Sequence, residues 1–337
     1  MLELTKWLKQ HFSNESITLL SLTGDAGFRV YYRFNVNGQS FIAVDAPPKN
    51  SNNNAFIKMQ QALNARGIVV PQIIAIDKQA GFFCLSDFGD SLFADTVNAD
   101  NMVEQYSKAI DLLPLISSIE FDSKESLPVY DRDFIALELG IFQEWLLSKH
   151  LGIKLNSTEL EQLSRCFELL INSALSQPQV TMHRDYHSRN IMMLADKQLG
   201  IIDFQDAVQG PITYDVVSLL RDCYIRWPQD EIDVLFAYFC QKMTAYYVLP
   251  LIDKSQWRLW FDLMGLQRHI KAAGIFARLF HRDAKDSYLK DIPLTLGYII
   301  DISREYPELM FLNKLVKEQV LPAFSQCQLK NTGEEVL

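Results

Sequence analysis

The chain has 337 residues, of which 48% are hydrophobic, so it is long enough for two units with separate cores. Its 41 acidic and 32 basic residues give a net charge of −9, which disfavours nucleic acid and anionic membranes as partners because like charges repel. ATP is not excluded, since a local nest of backbone N–H groups holds phosphate on an acidic protein.

The cysteines and the apolar stretches indicate a cytoplasmic protein. The five cysteines are scattered and form no CxxC pair, which argues against a disulfide framework or a zinc knuckle and fits a reducing compartment. The start of the chain, MLELTKWLKQHF, lacks the apolar core of a signal peptide. The longest apolar stretch, near residues 243–252, is too short to span a bilayer.

The first third of the chain has the pattern of a short helix followed by an antiparallel sheet. Residues 2–12 are amphipathic, which predicts a helix. The segments rich in β-branched and aromatic residues are 17–22, 29–36 and 40–46. Asn37-Gly38, between the last two, predicts a two-residue hairpin turn. A helix over about 54–66 and two strands, in VVPQIIAID and GFFCLSD, complete this region.

From about residue 91 onward the apolar residues repeat every three or four positions, which predicts helices. One β island interrupts them, formed by Val180–Met182 and Leu199–Asp203. This order of elements predicts an α+β fold, with a small antiparallel-sheet N-terminal lobe and a large helical C-terminal lobe.

The stretch with the clearest chemistry is 183–190, which reads HRDYHSRN and is followed by IIDFQD at 201–206. Phosphoryl transfer to a hydroxyl needs a carboxylate to accept the proton and hard oxygen ligands to hold Mg²⁺ on the phosphates. Asp185 and Asn190, five residues apart, place a base and one ligand on a single loop, and Asp203 supplies a second ligand from the end of the next strand. The spacing predicts a kinase that uses ATP and Mg²⁺.

This H-x-D-x4-N…D pattern resembles the catalytic and metal-binding loops of the protein-kinase-like superfamily, and within it the aminoglycoside/choline phosphotransferase branch. The resemblance implies a protein-kinase-like, two-lobed fold. It implies that Asp185 is the catalytic base and that Asn190 and Asp203 are the Mg²⁺ ligands. His183 would brace the loop, and Asp215, in GPITYD, resembles the aspartate that anchors the loop from the start of a helix.

Asp87-Phe88-Gly89 spells the magnesium motif of protein kinases, but it precedes the catalytic loop, whereas in kinases that motif follows it. We interpret Leu85–Gly89 as a hinge whose main-chain groups near Ser86 and Phe88 meet the adenine. The predicted divisions of the chain are a nucleotide-binding lobe at 1–85, the hinge at 86–90, and a helical lobe with the catalytic loop and the acceptor site at 91–337.

A phosphate-binding loop is predicted between the first two strands. Its residues are Gly24, Asp25, Ala26 and Gly27. The third strand, FIAVDAPP at 41–48, has no lysine where the superfamily usually places the one that contacts the phosphates. Arg29, Arg33 and Lys49 are candidate substitutes, and the sequence does not choose among them.

Further motifs resemble those of bacterial anomeric sugar kinases, which phosphorylate N-acetylmuramate and N-acetylglucosamine at C1 in cell-wall recycling. They are IDFQDA, GPITYD, MGLQRHIK at 264–271 and GIFARL at 274–279, with GDA and VDAPP near the start. The likeness covers about residues 18–300. In that subgroup a strand like VDAPP also stands in place of the strand that usually carries the lysine. The resemblance implies a sugar acceptor that reacts at its anomeric hydroxyl, which is more acidic than a simple alcohol.

Sugar recognition needs polar groups beside an apolar or aromatic wall. The polar candidates are Asp206, Arg221, Asp222, Gln267, Arg268 and His269. Trp227 or Tyr224 would supply the wall, and Arg268 would meet the lactyl carboxylate of N-acetylmuramate. For each of these residues a surface ion pair or a place in the core is the alternative interpretation.

Three other functions stay open at this point. A zinc hydrolase is suggested by His183 and His187, four residues apart, although Arg184 stands where such a site needs a glutamate. The missing lysine keeps open a catalytically degenerate, kinase-fold binding protein. An enzyme of the same kind with an aminoglycoside or a choline-like acceptor is the third.

Overall fold

The structure is a computed structural model that describes residues 1–22, 28–122, 126–247 and 252–332, the last four of them as backbone only. By their contacts the chain divides into two compact units, Met1–Glu120 with His183–Ala207, and Phe121–Met182 with Val208–Leu337. The lobe and hinge boundaries at 1–85, 86–90 and 91–337 stay a prediction. No helix among the described residues combines the length and the apolar sequence that crossing a bilayer requires.

The first unit is built on a five-stranded antiparallel sheet. Its elements up to residue 120 are α1 (Leu2–Phe12), β1 (Leu20–Ser21), β2 (Val30–Val36), β3 (Gln39–Asp45), α2 (Asn53–Ala65), β4 (Ile73–Asp77), β5 (Phe82–Ser86), α3 (Phe93–Thr96) and α4 (Met102–Ser117). The strand order is β1-β2-β3-β5-β4, with every neighbouring pair antiparallel. The predicted N-terminal antiparallel sheet is confirmed.

The later elements are longer and mostly helical. They are α5 (Arg132–Ile141), which continues as a π-helix (Phe142–His150), α6 (Ser157–Leu175), β6 (Gln179–Met182), β7 (Ile191–Met193), β8 (Leu199–Ile201), β9 (Val208–Pro211), α7 (Tyr214–Leu220), α8 (Gln229–Tyr246), α9 (Lys254–Asp283), α10 (Ile292–Ser303), α11 (Met310–Leu315), a π-helix (Val316–Val320) and α12 (Leu321–Thr332). Short 3₁₀-helices occupy Asp286–Asp291 and Pro307–Leu309. Of these later elements, strands β7 and β8 belong to the first unit, and the remaining helices and strands belong to the second.

The predicted turn at Asn37-Gly38 is confirmed. Val36 pairs with Gln39, so two residues connect β2 to β3. Both turn residues have positive φ, 51° for Asn37 and 79° for Gly38. This backbone matches the right-handed twist of the strands, and glycine and asparagine are the residues that adopt it most readily.

Helix α1 covers one face of the sheet. Leu4 and Leu8, both fully buried, pack with Phe34, Phe41 and Cys84 in one hydrophobic cluster. Full burial of a leucine or phenylalanine side chain contributes about 1.5–3 kcal/mol. The amphipathic pattern of residues 2–12 is thus explained by the sheet face that it covers.

The opposite face of the sheet carries Tyr31, Val44 and Phe83. Tyr31 is the cross-strand partner of Val44, and Val44 is the partner of Phe83, so the three side chains point to the same side. Phe56 of α2 packs on this face, with its ring centroid 5.4 Å from that of Phe83. The Phe56 ring also stacks on Phe204 at 5.1 Å. Helix α2 therefore connects the sheet to the segment that follows β8.

Main-chain hydrogen bonds tie the β7–β8 hairpin to the earlier part of the first unit. Val69 and Gly200 form a parallel bridge, and Ile201 N donates to Val69 O at 2.8 Å. Met193 N donates to Ser91 O at 2.8 Å. The segment around residues 183–207 is therefore part of the same compact unit as the sheet.

The prediction of a single β island from Val180–Met182 and Leu199–Asp203 is wrong. Strand β6 pairs with β9, whereas β7 pairs with β8, which gives two separate two-stranded sheets. Strand β9 has the sequence VQGP, and its glycine and proline resemble a loop when only the local pattern is read. The strand forms because it pairs with β6, and this partner is distant in the sequence.

The second unit is organised around α9, a helix of 30 residues that packs against α5, α6, α7 and α10. Gly274 of α9 lies against the backbone where α5 passes into its π-helix. A Cβ atom at this position would be 2.6 Å from Phe142 N and 2.7 Å from Ile141 C, closer than any real Cβ contact. The crossing of these two helices therefore requires a glycine.

We expect Gly274→Ala to lower the free energy of unfolding by about 1–3 kcal/mol. The added methyl group would meet backbone atoms, which cannot move aside as the end of a flexible side chain can. The matched control is Gly140→Ala in α5, where a Cβ meets no atom within 4 Å. This control should be neutral or stabilising by up to about 1 kcal/mol, since alanine favours a helix over glycine. Thermal unfolding followed by circular dichroism measures both. Equal midpoints for the two variants would contradict the close approach.

Candidate active site

Hydrogen bonds within the loop 183–190 hold its two predicted functional residues together. Asn190 Nδ2 donates to Asp185 O at 3.0 Å. His187 N donates to Asp185 O at 3.1 Å, and Asn190 N donates to His187 O at 2.9 Å. Because the Asn190 amide nitrogen is used inside the loop, its amide oxygen is the group left for an external ligand.

The loop is also fixed to the residues after β8. His183 is fully buried, and its Nε2 lies 3.1 Å from Ile202 O. In the reverse direction Ile202 N donates to Asn190 O at 3.1 Å. Tyr186, also fully buried, donates its hydroxyl to Ala109 O in α4 at 2.8 Å. The contact of His183 is the one that a bracing residue makes.

Asp203 lies beside this loop in a left-handed backbone conformation, with φ of 65°. Its Oδ2 is 3.4 Å from Asn190 Nδ2. Burial raises the pKa of Asp203, and the negative charge of Asp185 raises it further, while a hydrogen bond from Gln205 acts in the opposite direction. The structure thus brings Asp185, Asn190 and Asp203 together in one unit.

A divalent cation fits this arrangement. Two neighbouring carboxylates that disfavour each other's charge are stabilised by a cation between them. Mg²⁺ takes one or two carboxylates together with phosphate and water oxygens, and it does not need a cage made only of protein ligands. Among the described residues no group of three or more His, Cys, Asp or Glu side chains forms such a cage.

Gln205 is a contributor that the sequence did not reveal. Its Nε2 donates to Asp203 Oδ1 at 2.7 Å and approaches Asp206 Oδ2 at 3.3 Å. The amide therefore orients Asp203 and links it to a predicted acceptor ligand. Its position between two acids in IIDFQD was the available signal, but spacing alone did not indicate the direction of the side chain.

The predicted hinge is held by an ion-pair cluster at its start. Arg33 Nε lies 2.6 Å from Asp87 Oδ2, and Ser40 Oγ donates to the same oxygen at 2.6 Å. Burial alone would raise the pKa of Asp87, but the hydrogen bonds from Arg33 and Ser40 lower this pKa. Ser86 N donates to Gln72 O at 2.9 Å, so an adenine contact by Ser86 would have to use another of its groups.

Phe88 packs closely on β8, where a Cβ at Gly200 would lie 2.6 Å from its ring. Its contact with adenine stays a prediction, as does that of Ser86. The predicted phosphate-loop residues Gly24, Asp25, Ala26 and Gly27 lie outside the described residues.

Three of the predicted acceptor ligands lie in the second unit and contact other side chains there. Arg221 is 4% exposed and pairs with Asp262, with Nη2 2.6 Å from Oδ1. Gln267 is fully buried, and its Nε2 donates to Tyr130 OH at 2.7 Å. The Arg268 guanidinium lies over the Tyr214 ring, 4.4 Å from the centroid. Their role as sugar ligands, like that of Asp206 in the first unit, stays a prediction.

His269, another of the candidates, is enclosed in the core of the second unit. Its ring stacks on Tyr298 at 4.4 Å, and its Nε2 lies 2.9 Å from Arg221 O. Burial lowers the pKa of His269 to about 3, so the ring is neutral at physiological pH. These contacts are those of a structural side chain.

Solved structures with a similar fold are kinases that act on small molecules. Choline kinase LicA from Streptococcus pneumoniae superposes with a TM-score of 0.61 at 12% identity, covering 89% of this chain and 99% of that one. The ADP-bound aminoglycoside phosphotransferase APH(2'')-Ib gives 0.56 at 16% identity, covering 89% and 98%. The protein-kinase-like fold predicted from the catalytic pattern is confirmed.

Sequence relatives cover nearly the whole chain. It is 36% identical to an N-acetylmuramate/N-acetylglucosamine kinase of Pseudomonas putida over 94% of this chain and 95% of that protein. The enzyme of the same name in Pseudomonas aeruginosa is 38% identical, over 88% and 87%. The one in Neisseria meningitidis is 36% identical, over 95% and 96%.

The family model described as "Phosphotransferase enzyme family" matches residues 18–249, which is more than half of the chain and includes the whole catalytic loop together with Asp203. The predicted resemblance is therefore confirmed, and the chain belongs to the phosphotransferase enzyme family as an ATP-dependent small-molecule kinase.

Proposed function

We propose that this kinase, with Mg²⁺, transfers the γ-phosphate of ATP to the anomeric hydroxyl of N-acetylmuramate or N-acetylglucosamine. The observation that carries the proposal is the hydrogen-bonded arrangement of Asp185, Asn190 and Asp203 in one compact unit. The choice of sugar is supported by the three relatives, which are named for these two acceptors.

In the proposed reaction Asp185 accepts the proton of the sugar hydroxyl as the oxygen attacks phosphorus. The loop is fixed to Ile202 through His183 and Asn190, so the carboxylate is held in position before the substrates bind. An anomeric hydroxyl needs only a modest base, because it is more acidic than an ordinary alcohol. Most of the rate enhancement in phosphoryl transfer comes from positioning and from stabilisation of charge.

Asn190 and Asp203 are the residues that would hold Mg²⁺, the former through its amide oxygen and the latter through its carboxylate. When bound, the cation neutralises charge on the phosphates. Gln205 keeps the Asp203 carboxylate oriented, since its amide occupies Oδ1. The negative charge of nearby Asp185 adds to the attraction of Asp203 for a cation.

The remaining assignments belong to the same proposal. We infer that residues 1–85 bind the nucleotide, that 86–90 form the hinge, and that 91–337 contain the acceptor ligands. Arg268, stacked on Tyr214, is the proposed partner of the lactyl carboxylate. All five cysteines are unpaired, which supports a reducing, cytoplasmic location.

The test of the acceptor is an ATP-coupled assay with N-acetylmuramate, N-acetylglucosamine, glucosamine and an aminoglycoside. We expect turnover with the first two, dependence on added Mg²⁺ after chelation, and a product whose ³¹P–¹H coupling places the phosphate on C1. A phosphate on another hydroxyl, or a preference for the aminoglycoside, would overturn the choice of acceptor. Nucleotide binding without turnover on any sugar would favour a degenerate, kinase-fold binding protein.

We expect Asp185→Asn to lower kcat by about 10²–10⁴, because the amide cannot accept the hydroxyl proton. The affinity for ADP should stay near that of the parent protein, since the variant keeps both metal ligands. The matched control is Asp100→Asn, at an exposed aspartate before α4, which should retain full activity. Steady-state kinetics and calorimetric ADP titration measure both quantities. Parental turnover in Asp185→Asn would contradict its role as base.

Asp203→Asn should weaken metal binding rather than proton transfer. The change is isosteric, but it removes the negative charge that attracts the cation. We expect Mn²⁺ affinity in the presence of ADP, followed by electron paramagnetic resonance, to fall by at least about tenfold, a loss typical even of residues that only support a metal ligand. Unchanged Mn²⁺ affinity would show that the cation binds elsewhere.

A further inference from the structure

Strand β3 has no lysine or arginine, and the sheet face that it turns toward α2 is apolar. Val44 of β3 lies on the sheet face that packs against α2, because it pairs with Tyr31 on one side and Phe83 on the other. The next residue, Asp45, points to the opposite face, where its Oδ2 lies 3.9 Å from the N-terminal amine of Met1. Strand β3 therefore presents no cation toward α2.

The customary partner of that lysine is also missing. Protein kinases fix the lysine with a glutamate on the helix that follows. Helix α2, Asn53–Ala65, has the sequence NNAFIKMQQALNA and contains neither Asp nor Glu. A cation on this face of the sheet must be held by other means.

Arg29 is such a cation. It lies one residue before β2, and its contact with Phe56 places it on the face of the sheet that carries Tyr31. Its Nη2 donates to Asn52 O at 3.2 Å, at the N-cap of α2, and its guanidinium lies 5.5 Å from the centroid of the Phe56 ring. It also donates a hydrogen bond to the Tyr31 hydroxyl. Each of these partners is electrically neutral, and no carboxylate of the described residues forms an ion pair with Arg29.

Two independent contacts place Arg29 close to the proposed metal ligand. The Phe56 ring under its guanidinium stacks on Phe204, the residue after Asp203, at 5.1 Å. Tyr31, its hydrogen-bonding partner, is close enough to Asp203 and Asp206 for their negative charges to raise its pKa. A phosphate bound to a cation at Asp203 would therefore lie near an arginine that no carboxylate in the described part of the chain neutralises.

The other two candidate cations are less suited. Arg33 donates from Nη1 to Asp90 Oδ1 at 2.8 Å and from Nε to Asp87 Oδ2 at 2.6 Å, so two carboxylates neutralise it at the predicted hinge. Lys49 is exposed in the turn that follows β3. Arg29 is the candidate whose guanidinium is positioned and, among the residues that the structure describes, not paired with a carboxylate.

We propose that Arg29 binds the phosphates of the nucleotide in place of the missing lysine. The inference rests on the proposed function, since it concerns the same ATP site. A guanidinium suits this role because its planar N–H groups contact two phosphate oxygens at once, whereas an ammonium acts as a single point charge. The neutral contacts with Asn52, Tyr31 and Phe56 orient the group without cancelling its charge.

The test compares affinities for ADP and for adenosine, which has no phosphate, by calorimetry. Arg29→Met keeps the contact with Phe56 but removes the charge, and Arg29→Gln keeps polarity instead. We expect both to bind ADP about 10- to 100-fold more weakly, the usual effect of losing a charged hydrogen bond, with adenosine affinity unchanged. Arg29→Lys should recover part of the ADP affinity. Lys49→Gln is the control and should bind ADP as the parent does.

Each outcome distinguishes this inference from the proposed function. Parental ADP affinity in Arg29→Met and Arg29→Gln would overturn the role of Arg29 while leaving the kinase proposal intact. An equal loss of ADP and adenosine would also overturn it, because the arginine would then only support the fold. Failure of the parent protein itself to bind ADP would overturn the kinase proposal and this inference together.

Discussion

The side-chain amide of Asn190 and the main chain at Ile202 carry the hydrogen bonds on which the candidate site depends. The Asn190 amide holds Asp185 O, the Asn190 carbonyl accepts from Ile202 N, and Ile202 O in turn meets His183. Two segments that are separated in the sequence by the β7–β8 hairpin are thereby fixed side by side. Because these bonds are buried or partly buried, loss of any of them leaves an unsatisfied polar group, which costs about 1–3 kcal/mol. The two segments therefore hold each other through bonds within the protein itself.

Charge is distributed in this unit so that negative groups face each other across a small region. Asp203 lies near Asp185, and Gln205 bridges Asp203 and Asp206. Such an arrangement is unfavourable in an empty site and favourable once cations are present, which is the usual compromise between stability and activity in enzymes. Elsewhere acidic groups are paired conventionally, as at Arg33 with Asp87 and at Arg221 with Asp262.

Local features of the sequence predicted the parts of the fold that depend on local physics. Asn37-Gly38 specifies its turn because few other residues adopt positive φ so easily, and the amphipathic pattern of residues 2–12 specifies α1. The spacing of Asp185, Asn190 and Asp203 gave the candidate site because a short hairpin separates the two segments. Strand β9 was missed because its partner is distant in the sequence.

Side-chain partners were the least predictable part for the same reason. The sequence could not choose among Arg29, Arg33 and Lys49, since the choice depends on carboxylates contributed by Asp87 and Asp90. Nor could it show that Gln267 bonds to Tyr130, a residue far away in the sequence. Such contacts arise only when separate elements pack together.

The composition of α2 has a consequence for how inactive members of such a family are recognised. In protein kinases the lysine–glutamate pair is also a switch, because movement of the helix breaks it. Here α2 offers a backbone carbonyl and an aromatic ring to Arg29, and neither loses a charge partner when the helix shifts. A kinase in which such an arginine takes the place of the lysine lacks that means of regulation. Absence of the lysine from the third strand is therefore a poor criterion for counting a relative of this chain among the pseudokinases.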